Sequence, residues 1–195
     1  MTTRARAASG CRIWLEHYPP GIPAEVDVHA YASLKDMLER SCQRFKDRTA
    51  FTSMGVTMSY AELDRHTRAF AACLQTSLGL GKGERVAVML PNCLQSPVAI
   101  LGALRAGMVV VNVNPTLTPA ELAFQLKDSG AVAIVVLENF THTLAQALPT
   151  SVRHVIVTQL GDLLPHVRRE LVNFAAGRVM QGVCLLYTSP SPRDS

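Results

Sequence analysis

Few residues in this chain have the types and spacing that chemistry requires, and each candidate carries a plainer structural reading. Gly79-Leu80-Gly81-Lys82-Gly83 is a glycine-rich stretch. Such a stretch cradles phosphates when it follows a strand and opens a helix, because the helix N–H groups then face the anion. Here the surrounding pattern runs helix, glycines, strand, so the order predicts a connecting loop. Asp162 and His166 stand at helical spacing, but no nucleophile accompanies them and no serine sits in a G-x-S-x-G elbow. They read as a cap and a solvated residue. Glu121, Asp128 and Glu138 fall at helix ends, where helix termini account for them better than acid–base work does. Cys11, Cys42, Cys73, Cys93 and Cys184 are far apart, with no CxxC and no histidine at ligand spacing, so no metal site is assigned. They read as reduced, small hydrophobes. Residues 1–183 therefore show a scaffold without a reaction centre: no catalytic, cofactor-binding or metal-ligating residue is named.

The elements that would position any site follow from periodicity. Residues 11–32 are rich in Pro, Gly and isolated aromatics and predict an extended arm over 1–32, with proline spacing that forbids a helix. Ser33 is an N-cap with Asp36 three residues on, and Leu34, Met37, Leu38, Cys42 and Phe45 follow at helical spacing. Ala50–Ser53 and Val56–Met58 make a hairpin turning at Gly55. Ser59 and Glu62 form a capping box for a helix faced by Leu63, Phe70, Leu74 and Leu78 and stopped by Gly79.

A strand–helix rhythm then sets in: strand Val86–Leu90, helix Leu94–Ala106, strand Met108–Val113. A helix opened by Thr118, Pro119 and Glu121 and closed by Gly130 comes next. Strand Ala131–Leu137, a short helix Thr141–Leu148, strand His154–Thr158 and an amphipathic helix Leu163–Met180 complete it. Asn139-Phe140-Thr141 fits a glycosylation sequon but reads as a helix start. Continuous apolar strands alternating with helices predict an α/β fold, a mostly parallel sheet with helices on both faces.

Composition bounds the partners. Hydrophobic residues make up 48% and charged residues 17% of the 195, against about 25% charged in an ordinary soluble protein. So little charge fits a large, well-covered body or a slice of one. The net charge of +4 is scattered over residues such as Arg4, Arg85 and Arg168, and aromatics are only 6%; no nucleic-acid stripe is expected. Met1–Gly10 has no apolar run to make it a signal peptide. Met108–Val113 and Ala131–Leu137 are too short to span a bilayer, so a cytoplasmic protein is expected, at the inner membrane surface at most.

The tail Cys184–Ser195 breaks this pattern. Through Asp194 it reverse-translates to a string resembling a sequencing-library adapter read in frame, so 184–195 is expected to be a non-native tail, set aside like an engineered scar. Tyr187-Thr188-Ser189 opens like a YTSG-type phosphate loop, but Pro190 stands where the glycine would be.

Several stretches resemble the N-terminal region of bacterial long-chain fatty-acid–CoA ligases: Ile13–Asp27 (IWLEHYPPGIPAEVD), Phe70–Gln75 (FAACLQ), Arg85–Gln95 (RVAVMLPNCLQ), Leu104–Pro115 (LRAGMVVVNVNP), Gln125–Gly130 (QLKDSG), Val136–Leu144 (VLENFTHTL) and Gly161–Leu164 (GDLL). Met58–Leu63 (MSYAEL) and LRAG are similar to elements shared across the adenylate-forming superfamily. After Asn114-Pro115 the family pattern has a Tyr and an Arg where this chain has Leu117 and Ala120. The resemblance implies that residues 33–183 are an incomplete N-terminal domain of the AMP-binding fold. It implies a parent enzyme that joins a fatty acid to CoA through an acyl-adenylate, with ATP, Mg2+ and CoA as cofactors. Peripheral membrane association and a homodimer stay open. The family's Gly/Ser/Thr-rich loop, Tyr-x-x-Thr-Glu motif, ribose-binding Asp and C-terminal lysine have no counterpart here, so the fragment itself is expected to be inactive and to bind none of the cofactors. Two alternatives remain: a ligase for a shorter acyl or aryl acid, and a non-catalytic α/β binding module.

Overall fold

The computed structural model describes residues 13–149, 151–164 and 173. The chain divides into two compact units, Met1–Ala32 and Ser33–Ser195. In the first, Ile13–His17 forms a 3-10 helix, which corrects the expectation that prolines forbid any helix here. Pro19 restricts the residue before it, so the turn closes ahead of it; a piece this short suits the tighter 3-10 geometry. Turns follow, closed by Ile22 N–H donating to the Pro19 carbonyl at 3.2 Å and Ala30 N–H to the Asp27 carbonyl at 3.2 Å.

In the second unit, helix α1 (Leu34–Arg44) starts where Ser33 Oγ accepts from Asp36 N–H at 3.1 Å. It buries Leu38 and Cys42, while Leu34 and Met37 stay exposed. Strands β1 (Thr49–Ser53) and β2 (Val56–Ser59) pair antiparallel. Their turn places Met54 at φ 51° and Gly55 at φ 72°, the two positive values that a type I′ hairpin demands. Helix α2 (Tyr60–Ala72) has the predicted capping box: Ser59 Oγ accepts from Glu62 N–H, and Glu62 accepts from Ser59 N–H at 2.8 Å. One feature had no sequence signal: α2 runs on as a π-turn over Cys73–Ser77 before the chain reverses at Gly79.

The remaining strands, β3 (Arg85–Met89), β4 (Val109–Asn112), β5 (Ala133–Leu137) and β6 (His154–Thr158), form one parallel sheet in the order β4-β3-β5-β6. Helix α3 (Gln95–Arg105) joins β3 to β4, α4 (Pro119–Ser129) joins β4 to β5, and α5 (Thr141–Ala147) joins β5 to β6. Thr118, Pro119 and Glu121 open α4 and Gly130, at φ 62°, closes it, as the sequence indicated. The pleat sends alternate residues to opposite layers. Val86, Val88, Ala133, Val135 and Leu137 meet α2 and α3 on one face. Ala87, Met89, Ile134 and Val136 meet α4 and α5 on the other.

The expectation that every strand is buried on both faces holds for β3 from Val86 on and for all of β5. It fails for β4, whose Val109 is 49% exposed, because β4 edges the sheet. Of the predicted helix 163–180, Leu163 and Leu164 lie in a turn closed by Leu164 N–H to the Gly161 carbonyl at 2.8 Å. Apart from Asn173, the rest lies outside the described residues, as do His166 and the tail 184–195.

Two contacts lock the helical layer on the α2/α3 face. Gly102 lets α3 approach α2 so closely that a Cβ there would lie 2.8 Å from Phe70 Cδ1 and 3.2 Å from the Thr67 carbonyl oxygen. Arg105, with its side chain 5% exposed, holds Asp64 Oδ1 at 2.7 Å and faces Glu39 Oε1 at 3.6 Å, tying α3 to α2 and α1. Burial pushes the Asp64 carboxyl up, but hydrogen bonds and charge from Arg68 and Arg105 outweigh it and hold it below the usual carboxylate range.

Gly102→Ala is expected to lower stability by about 1–3 kcal/mol, since the obstacle includes backbone. Asp64→Ala strands the buried guanidinium and is expected to cost about 3 kcal/mol or more. Urea unfolding of the purified chain reads both. A carboxyl depressed on folding stabilises above its unfolded value and loses that contribution as pH falls through its folded value. Melting temperature should therefore drop below about pH 4, and less steeply in Asp64→Asn.

Candidate functional site

In parallel sheets ligands bind beyond the carboxyl ends of the strands, where neighbouring crossovers leave in opposite directions. The order β4-β3-β5-β6 puts that point between β3 and β5: α3 leaves β3 toward one face and α5 leaves β5 toward the other. A polar network occupies this end of the sheet. Gln95, at the start of α3, is 7% exposed; its Nε2 donates to the carbonyls of Gln159 at 2.7 Å and Leu160 at 3.2 Å. Gln159, just after β6, donates from its side chain to Glu138 Oε2 at 2.7 Å, and its Oε1 accepts from Asn173 Nδ2 at 2.8 Å. Asp162 Oδ2 accepts from Gln159 N–H and from Thr158 Oγ1, each at 2.8 Å.

The structure thus brings together Glu138 and Asp162, which the sequence separated, through Gln159. Gln95 and Gln159 were not singled out, because their pairing depends on strand order, which sequence spacing does not reveal. Chemically the network joins loops. Each carboxylate accepts from amides or a hydroxyl, and among the described residues no nucleophile stands beside them. Cys93 is nearby on the β3–α3 loop, but burial pushes its thiol up, against weaker opposing hydrogen bonds from the Ser96 and Gln95 backbone. It faces an open groove of about 320 Å³ shared with Thr52, Ser53 and Ser96.

The glycine loop lies at the other, amino end of β3, and three of its backbone donors are engaged. Leu80 N–H donates to the Leu74 carbonyl at 2.9 Å, Gly81 N–H to Glu84 Oε2 at 2.6 Å, and Gly83 N–H to the Gly107 carbonyl at 2.9 Å. With a carboxylate already seated on it, this loop does not fit a triphosphate. Glu121 is held in the α4 capping box, where Thr118 draws its carboxyl below the usual range. Among the described residues no group of three or more His, Cys, Asp or Glu could hold a metal ion, and no helix is long and apolar enough to cross a membrane. Cys42 and Cys93 are buried free thiols and Cys73 is an exposed one.

The chain belongs to the AMP-binding enzyme family, whose model matches residues 38–191. Within that family it is similar to bacterial long-chain-fatty-acid–CoA ligases. It is 54% identical to the ligase of Yersinia pestis over 164 residues, covering 84% of this chain and 29% of that protein. Against the ligase of Escherichia coli O157:H7 it is 53% identical over the same coverage. Among solved structures, a benzoate CoA ligase from Burkholderia xenovorans LB400 superposes with a TM-score of 0.60 at 32% identity, covering 64% of this chain and 25% of that one. The chain spans less than a third of the length of the curated relatives it matches.

Gln95→Leu removes the donor to two carbonyls in a partly buried joint. Leaving such groups unpaired costs about 1–3 kcal/mol. The expected result in urea unfolding is a lower midpoint with unchanged slope.

Proposed function

We propose that this chain is the N-terminal portion of a cytoplasmic, ATP-dependent ligase that activates long-chain fatty acids to acyl-CoA, releasing AMP and diphosphate, and that the portion is by itself inactive. The observation carrying the reading is the 54% identity over 164 residues to a bacterial long-chain-fatty-acid–CoA ligase. That identity covers 84% of this chain. The inactivity of the portion is supported by the glycine loop, three of whose donors are engaged internally, and by carboxylates that serve caps and joints. Stabilising the charge of a transferring phosphoryl group takes preorganised donors or a metal aimed at it.

A second reading, an aryl-acid ligase, draws on the likeness to the benzoate CoA ligase. Exchange of labelled diphosphate into ATP tests the inactivity of the portion and its fitness to complete a ligase. The expected result is no exchange by the 195-residue chain with any acid. A chimera joining residues 1–183 to the remaining polypeptide of the Yersinia pestis relative is expected to exchange with a long-chain fatty acid and not with benzoate. Exchange by the chain alone would overturn the inactivity. The chimera inherits its acid specificity from the relative's portion, so the substrate of this protein is read by extending its own reading frame and repeating the assay.

A further inference from the structure

We draw no further inference here: the strongest candidate, the groove in which Thr52 and Ser53 of the hairpin face Cys93 and Ser96 at the start of α3, offers a single cysteine at a helix N-terminus with no second group that points to a ligand, and nothing in the structure shows what covers it.

Discussion

A parallel strand buried on both faces must satisfy its backbone through two neighbouring strands and its side chains through two separate helical layers. β5 is such a strand at all five positions, and that requirement organises the second unit. It explains why β3 and β5 lie side by side at the centre, and why α4 and α5 gather on the face opposite α2 and α3. It also explains the low charge content: a sheet covered twice leaves few positions where a charged side chain can reach water. The cover is complete over β3 and β5 and thins toward β6, where side chains suited to burial are only half covered.

The α2/α3 layer depends in turn on contacts that tolerate little change. Gly102 sets how near the helices can come, and Arg105, three residues along the same helix, fixes them with charge. The guanidinium reaches carboxylates on both α1 and α2, while its Nε and Nη1 find no hydrogen-bond partner among the described residues. An ion pair of this kind adds little net stability over a well-packed apolar substitute. What it adds is geometry: Arg105 can meet Asp64 and Glu39 together in one arrangement of three helices. The LRAG stretch thus joins a charge that selects a packing, a small residue at Ala106, and a turn at Gly107 with φ 81° that sends the chain into β4.

Features governed by neighbours in sequence were legible. Ser33, Ser59 and Thr118 cap helices because the chemistry of a cap lies within three residues, and Gly55 and Gly130 turn the chain for equally local reasons. What depended on spatial order was not. Met108–Val113 and Ala131–Leu137 read alike as apolar runs, yet one forms an edge strand and the other the most buried strand of the sheet. The Gln95–Gln159 joint spans sixty-four residues and exists only because β6 lies just one strand beyond β3, on the far side of β5. The π-turn at Cys73–Ser77 accommodates Leu74 at full burial just before Gly79, a packing demand that no residue type announces. The arm was misjudged for a different reason: prolines limit the residues around and after them, and Ile13–His17 precedes them all.

The same distinction bears on chemistry. A glycine run advertises backbone N–H groups, but whether they can hold an anion depends on what else claims them. Here Leu80, Gly81 and Gly83 donate to Leu74, Glu84 and Gly107, and Glu84 also pairs with Arg153. The loop is therefore a strut that ties the end of the π-turn and the start of β3 to the approach to β4 and, through Arg153, to the approach to β6. Bringing a phosphate to these donors would set one anion against another and break two backbone–backbone bonds and one to a carboxylate. At the opposite end of the sheet the amides of Gln95, Gln159 and Asn173 are likewise committed to holding loops together, with one acceptor, Gln95 Oε1, left over among the described residues. An unpaired acceptor attracts a donor and repels phosphate oxygens. The polar groups at this end of the sheet thus join its loops, as the glycine loop does at the other.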